Sequence, residues 1–295
     1  MAAPVTLPGG LTAAPPRRPA RRVTLALGGA TVLLLVCLTA MVAPWITPHD
    51  PRAQLLERRL RPPAWSGRGD WTHSLGTDHL GRDILSRLIY GSRISLLVGV
   101  TSVVIAGLLG VTLGVLAGYY GGRLDALIMR LVDIQLAFPF ILLAIAVIAV
   151  LGAGLRNVII VLGVARWMDY ARVVRGDVLT VREREFVVAA RALGAANRVI
   201  IPRHVLPNVL TPIIIVATFA VATNIITEAS LSFLGLGVEP TIPTWGSMLA
   251  DGRAYVGRAW WLTTFPGLAI LAIVLSINVL GDWLRDYLDP RLRSL

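Results

Sequence analysis

Apolar residues form long runs along this 295-residue chain, and polar residues are concentrated between the runs. A helix of about 20 residues is long enough to cross a bilayer. Five uncharged runs reach that length: residues 23–46, 94–120, 134–155, 205–226 and 259–281. A sixth apolar segment, 157–174, is interrupted by Arg166, Asp169 and Arg172. The pattern predicts an all-α integral membrane protein with six transmembrane helices.

The same pattern divides the chain into a membrane part and polar flanks. Residues 1–22 are rich in Pro, Ala and Arg and predict a disordered tail, followed by the first transmembrane helix, 23–46. Residues 47–93 are predicted to form an extracytoplasmic loop, 94–284 a five-helix core and 285–295 a second tail. The four arginines of the first tail favour the cytoplasm by the positive-inside rule. Six spans return the C-terminus to the same side, so both termini are expected in the cytoplasm.

Composition supports a membrane protein and excludes several kinds of catalysis. Only 15% of residues are charged and mean hydropathy is +0.71, whereas soluble domains average about 25% charged residues. Every basic residue is arginine. Without a lysine the chain has no P-loop, so it is not expected to be an ATPase. The single cysteine, Cys37, and four scattered histidines offer no metal-ligand spacing, and no catalytic, cofactor-binding or metal-binding residue is predicted.

Residues 180–195 have the pattern of a short amphipathic helix between two apolar runs. Thr180 and Glu183 have the spacing of a capping box, and Gly194 is a typical residue just beyond a helix C-terminus. One face carries Phe186, Ala189, Ala190 and Leu193. Such a face suits docking into a groove of a partner protein, with Phe186 as the anchor. The alternatives are a helix on the membrane surface or one packed on the chain's own spans.

The second predicted span carries a stripe of small residues. Ala106, Gly110, Gly114 and Gly118 recur every four positions and therefore share one helix face. Small residues in this register let the backbones of two membrane helices approach closely. We expect this helix to be buried among its neighbours.

Residues 186–208, FVVAARALGAANRVIIPRHVLPN, resemble the coupling-helix motif of bacterial ABC importer permeases. That motif reads EAA, three residues, Gly, nine residues, a hydrophobic residue, one residue and Leu-Pro. Val188, Ala189 and Ala190 stand at EAA here, and Gly194 is the glycine. The chain departs from the motif at Val188, which replaces the glutamate, and at His204, which stands where the family often has isoleucine.

Further segments resemble the C-type subunit of dipeptide and oligopeptide importers. They are LGTDHLGRDILSRLIYGSRISL (75–96), TEASLSFLGLG (227–237), PTWGSMLADGR (243–253), FPGLAI (265–270) and LGDWLRDYLDPR (280–291). The resemblance implies the type I ABC importer permease fold in the bacterial inner membrane. It also implies a second permease subunit forming a heterodimer, two ATPase subunits that bind ATP and Mg, and an extracytoplasmic solute-binding protein. The lipid bilayer is a further partner, and no nucleic acid is expected.

The resemblance assigns one group of candidate residues, and polar residues at the predicted spans supply a second. ATPase-subunit docking is assigned to Glu185, Phe186, Val187, Val188, Ala189, Ala190, Arg191, Leu193, Gly194 and Ala195. The candidate translocation path contains Arg166, Asn224 and Glu228. Arg166 could instead pair with Asp169, three residues further on. Glu228 is predicted at the outer end of the fifth span, where it either binds a peptide amine or fixes the helix end to a neighbour.

Two further sites lie near the predicted outer ends of the spans: a polar turn before the second span and a tryptophan after the fifth. Arg82 and Asp83 precede the second span, either as a contact to a partner protein or as a turn in which Asp83 or Thr77 caps the helix. Trp245, with Pro243 and Gly246, is expected in an outer re-entrant or interfacial segment, and an aromatic at the membrane interface is the simpler interpretation.

Two other functions compete with peptide import. An importer of the same family for nickel or another small solute would have a similar permease sequence. A secondary transporter without an ATPase would need acids within its spans for ion coupling, and the predicted spans carry few.

Overall fold

The computed structural model describes residues 20–288, and these residues form α-helices joined by turns, without an extended strand. The predicted all-α fold is confirmed. Of the two predicted tails, residues 1–19 and 289–295 lie outside the described residues. The first helix, α1, spans Ala20–Ile46 and agrees with the first predicted span.

Helix α2 spans Ile84–Tyr120 and begins ten residues earlier than predicted. Asp83 caps it, because the Asp83 carboxylate accepts a hydrogen bond of 2.7 Å from the Ser86 N–H. The predicted cap at Asp83 is therefore confirmed, and the loop predicted at 47–93 ends at residue 83. This loop contains two short 3₁₀ turns, Leu56–Arg58 and Trp71–His73.

The predicted span 134–155 is not one continuous helix. Helix α3 spans Gly122–Leu136 and helix α4 spans Phe140–Leu151, and the two are bent by 88°. Pro139 precedes α4 and disfavours helical backbone in the residue before it, which ends the first helix. The uncharged run thus contains the end of one helix and all of another.

The sixth predicted segment, 157–174, is also divided. Helix α5 spans Leu155–Ala165 and helix α6 spans Trp167–Val181, with the break at Arg166. Two short helices follow: α7, Glu185–Ala192, and α8, Asn197–Ile200.

A π turn at Ile201–Val205 and a 3₁₀ turn at Leu206–Val209 connect α8 to helix α9, Leu210–Phe233. Pro202 and Pro207 lie in these turns and lack the N–H that a regular α-helix needs. Helix α9 continues seven residues beyond the predicted end of the fifth span.

Two further helices complete the described chain. Helix α10 spans Trp245–Gly252, and α11 spans Trp261–Leu288 rather than the predicted 259–281. Within residues 20–288, four apolar segments are long enough to cross a membrane alone: Val23–Ile46, Ile84–Tyr120, Asn197–Phe233 and Trp261–Leu288. The bent pair α3–α4 is a candidate fifth span, and α5–α6 covers the sixth predicted segment.

Helix α2 lies at the centre of the bundle and contacts α1, α5, α6 and α9. Its closest neighbour is α6, and the small-residue stripe faces it. A Cβ atom at Gly110 would lie 2.2 Å from the Trp167 carbonyl oxygen, and one at Gly114 would lie 2.7 Å from that of Ala171. The predicted close packing of this helix is confirmed.

Candidate functional site

The predicted coupling helix is shorter than its sequence pattern suggested. Helix α7 begins at Glu185, whereas Thr180 belongs to α6, so the predicted capping box is wrong. Arg184 occupies the N-cap position without a side-chain hydrogen bond to the helix. A three-residue turn, 182–184, therefore separates α6 from α7.

The C-terminus of α7 closes as a Schellman motif around Gly194. The Gly194 N–H donates to the Arg191 carbonyl and the Ala195 N–H donates to the Ala190 carbonyl, both at 3.0 Å. Gly194 has φ +83°, a left-handed conformation that L-residues with a Cβ rarely adopt. The predicted role of Gly194 as helix stop is confirmed.

Helix α7 exposes most of its candidate docking residues. Phe186 is 40% exposed, Val188 47% and Leu193 88%. Glu185, Ala189, Arg191 and Gly194 are also exposed, while Ala190 and Ala195 are half-buried. Val187 is the exception, because it is fully buried and packs onto the chain's own core rather than facing outward.

The buried side of α7 is attached to three neighbouring segments. Val187 packs with Tyr119 of α2 and Ile200 of α8 in one apolar cluster. The centroids of the Phe186 and His204 rings lie 6.3 Å apart. Helix α7 therefore packs on the chain's own core along one side and exposes apolar residues on the other, and His204, which departs from the family motif, lies next to Phe186.

Arg166 lies at the break between α5 and α6 and is mainly covered. Its guanidinium lies 3.7 Å from Asp169 and 4.8 Å from the Phe140 ring centroid, which confirms the predicted pairing with Asp169. The side chain keeps 23% exposure. Gln135 of α3 bridges the same break, donating to the Ala165 carbonyl and accepting from Trp167 Nε1, both at 2.8 Å.

Asn224 and Glu228 lie one turn apart on α9, and both are fully buried. Oε1 of Glu228 accepts hydrogen bonds from the hydroxyls of Ser232, at 2.7 Å, and Thr244, at 2.9 Å. Helix α9 continues five residues beyond Glu228, to Phe233, and the bond from Thr244 agrees with the predicted alternative in which Glu228 fixes this end of the helix to a neighbour. The Asn224 amide and Glu228 Oε2 have no hydrogen-bond partner within residues 20–288.

Comparison with known proteins decides the family. Residues 110–294 match the family described as "Binding-protein-dependent transport system inner membrane component", and residues 18–63 match the "N-terminal TM domain of oligopeptide transport permease C". The chain belongs to this family of inner-membrane permeases.

Relatives of the permease match over most of its length. The "Di/tripeptide transport system permease protein DppC" of Pseudomonas aeruginosa is 48% identical, over 91% of this chain and 89% of that protein. The "Glutathione transport system permease protein GsiD" of Escherichia coli is 44% identical, over 93% of this chain and 89% of that protein. The permease subunit of the inward-facing MetNI methionine ABC transporter has a TM-score of 0.59 at 22% identity, over 70% of this chain and 98% of that chain. The permease therefore has the type I ABC importer fold.

A buried ion cluster at the start of α2 was not found from the sequence. Asp78 accepts from Arg82 Nε at 2.5 Å and from Arg87, while Asp251 accepts from Arg82 at 2.8 Å and from Arg87 at 3.1 Å. Burial by itself would raise the pKa of Asp78, but the charges of Arg87 and Arg82 outweigh it and hold the pKa below its ordinary value of 3.8. The available signal in the sequence was Arg87, because an arginine near the start of a long apolar helix needs a carboxylate partner.

Within residues 20–288, two groups of side chains bring potential metal ligands together. Asp78, His79 and Asp251 form one group, but both carboxylates are already paired with arginines. His49, His73 and Asp83 form the other. There the Nδ1 of His73 lies 2.9 Å from Asp83, and Arg58 approaches its Nε2 at 3.3 Å. Because arginine only donates, Nε2 of His73 must accept from Arg58, and the ring proton is assigned to Nδ1, which donates to Asp83. Both ring nitrogens of His73 are then occupied by hydrogen bonds, and neither offers a free lone pair to a metal.

Trp245 packs inside the bundle. It is almost completely buried at the start of α10, and its Nε1 donates to the Leu88 carbonyl of α2 at 3.0 Å. A Cβ at Gly91, one turn further along α2, would lie 3.2 Å from the Trp245 ring. Trp245 therefore joins α10 to the central helix, with its ring covered by neighbouring side chains rather than exposed.

Proposed function

We propose that the chain is the transmembrane permease subunit of an ATP-driven ABC importer that translocates dipeptides and oligopeptides. The observation that carries the docking part of this proposal is the exposed apolar side of α7. The relatives' names supply the substrate class, since proteins 42% to 48% identical are named for dipeptide or tripeptide transport.

In this proposal each ATPase subunit receives a coupling helix in a surface groove, and α7 is the one from this chain. Phe186, Val188 and Leu193 enter the groove, and Glu185, Ala189, Arg191 and Gly194 contact its rim. The two ATPase subunits bind ATP and Mg, because this chain has no lysine for a P-loop. A second, different permease subunit forms the heterodimer, an extracytoplasmic binding protein delivers the peptide, and both termini are cytoplasmic.

The helix arrangement suggests how ATP binding moves the spans. Helix α7 is joined by a short turn to α6, and α6 packs closely on α2 along the small-residue stripe. A displacement of α7 therefore shifts α6 and α2 together, since closely packed backbones transmit movement rather than absorb it. Alternating access follows when these helices move against the second permease subunit.

Of the three path candidates, Arg166 is the one that the folded chain leaves partly open. We place it at the path as a group that meets a peptide carboxylate, with Asp169 as its partner when no peptide is present. Asn224 and Glu228 would line the path only if α9 separated from its neighbours during the transport cycle, because both are fully buried and Glu228 is bonded to Thr244, just before α10.

Uptake of labelled peptides tests the substrate class. We expect cells lacking the chain to lose uptake of labelled dipeptides and oligopeptides, and restoration of the gene to recover it. Labelled nickel is measured in the same cells. Loss of nickel uptake with normal peptide uptake would keep the ABC architecture and overturn the peptide assignment.

Co-purification tests the docking surface. Phe186→Ala removes the anchor ring and is expected to reduce the amount of ATPase subunit that purifies with the permease. Phe138→Ala is the matched control, because Phe138 is also exposed but lies outside α7. Equal recovery of ATPase subunits with the two variants would show that α7 is not the docking surface.

A further inference from the structure

Tyr119 occupies the last turn of α2, next to the segment that carries the docking surface. Its hydroxyl donates a hydrogen bond of 2.8 Å to Oδ1 of Asn197, the first residue of α8. The guanidinium of Arg191, in α7, lies 5.7 Å from the centroid of its ring. The side chain is almost completely buried. One tyrosine of the central helix thus contacts the helices on both sides of the Gly194 turn.

The apolar contacts between α2 and the α7–α8 segment are less directional. Val187 and Ile200 pack against Tyr119 through apolar atoms, which can slide past one another without losing buried area. A hydrogen bond requires a defined distance and angle and is lost when the groups move apart. The Tyr119–Asn197 bond therefore fixes the position of the segment relative to α2 more precisely than the apolar contacts do.

Helix α2 extends from Tyr119 to the opposite end of the bundle. It is continuous over 37 residues, and its first turn holds Arg87 between Asp78 and Asp251. A continuous helix anchored at both ends moves as a unit. A displacement received at Tyr119 would therefore reach the ion cluster at the start of α2.

We propose that Tyr119 is a positioning residue that ties the docking helix α7 to α2, so that movement of α7 is converted into movement of the central span. This inference rests on the proposed function, in which ATPase subunits displace α7. Tyr119 acts through Asn197 and Arg191 and contacts neither ATP nor peptide. Its removal should leave docking intact and lower the amount of transport obtained from each ATP hydrolysed.

The test uses the complete complex reconstituted in vesicles with its binding protein. Peptide transported and ATP hydrolysed are measured together, and their ratio is compared. Tyr119→Phe removes only the hydroxyl, and we expect the ratio to fall roughly two- to tenfold, the range that corresponds to one lost hydrogen bond. Tyr120→Phe is the matched control, because the neighbouring Tyr120 is exposed and does not bond Asn197.

Asn197 supplies a second pair of variants for the same bond. Asn197→Ala removes the acceptor and should lower the ratio as Tyr119→Phe does. Asn197→Asp keeps an acceptor oxygen and should retain the normal ratio. A role limited to folding would instead lower the amount of assembled complex and leave transport per ATP unchanged in what is recovered.

The outcomes separate this inference from the proposed function. If the unaltered complex imports no peptide, the proposed function fails. If it imports peptide but Tyr119→Phe and Asn197→Ala keep the normal ratio, only the positioning role is wrong. If Tyr119→Phe loses its ATPase subunits, the Asn197 pair decides, and equal ratios for Asn197→Ala and Asn197→Asp would overturn the inference.

Discussion

Arg87 and Asp251 are 164 residues apart in the chain, yet the Arg87 Nη2 donates to the Asp251 carboxylate at 3.1 Å. The bond joins the first turn of α2 to the end of α10, and Asp78 completes the cluster from the preceding loop. Arg87 and Asp78 are almost completely buried. Each charge is stable in this setting only because its partners are present.

Removal of Asp78 should strongly destabilise the permease. Asp78→Ala leaves Arg82 and Arg87 with Asp251 as their remaining carboxylate, and loss of one partner of a buried ion pair costs about 3–5 kcal/mol. We expect a clearly lower midpoint of thermal unfolding for the purified protein in detergent. Glu57→Ala is the control, because Glu57 lies exposed in the same loop. Equal midpoints for the two variants would contradict the assigned role of the cluster.

The contribution of Asp78 should depend on pH in a defined direction. Its pKa in the folded protein lies below 3.8, its ordinary value, so the unfolded chain binds the proton more readily. The stabilisation is therefore complete above the unfolded pKa and is lost as the pH falls below about 3.8 through the folded pKa. The difference in unfolding midpoint between the unaltered protein and Asp78→Asn should be constant near neutral pH and shrink below that value. A difference that grows on acidification would reverse the assigned sign.

Close packing of α2 on α6 predicts contrasting effects at two neighbouring glycines. A Cβ at Gly110 would lie 2.2 Å from a backbone oxygen, whereas one at Gly107 would lie 3.7 Å from the Tyr170 ring, an ordinary contact. Gly110→Ala forces the helices apart, and such overpacking typically costs about 1–3 kcal/mol or more. Gly107→Ala should be tolerated. The yield of folded protein on size-exclusion chromatography compares the two, and equal yields would argue against the tight α2–α6 contact.

The sequence predicts the parts of this fold that depend on local pattern. The run 23–46 gives the first span, the glycine stripe gives the buried face of α2, and Gly194 gives the end of α7. The first ten residues of α2 were missed because the predicted spans were taken as uncharged runs, and this stretch contains Arg93 and Arg87. Asp251, the partner of Arg87, is supplied by the folded bundle, and no local pattern reveals it.

The bent span was missed for a different reason. Average hydropathy is the same for a straight helix and for a bent pair, so the hydropathy of the run 134–155 did not reveal the 88° bend. Pro139 within that run was the available local signal. The burial of Glu228 also depends on an unseen neighbour, because Thr244 reaches it from the segment before α10.

Glu228 distinguishes a structural acid from a path residue. Glu228→Gln keeps an oxygen that accepts from Ser232 and Thr244, so a structural role predicts nearly normal stability and peptide uptake. Glu228→Ala leaves both hydroxyls without that acceptor, and each buried unpaired group costs about 1–3 kcal/mol. The alanine variant should therefore unfold at a lower temperature. Loss of uptake in Glu228→Gln, at an unchanged unfolding temperature, would instead show that the charge itself is needed. The buried carboxylate would then have to become accessible to peptide when α9 and α10 separate.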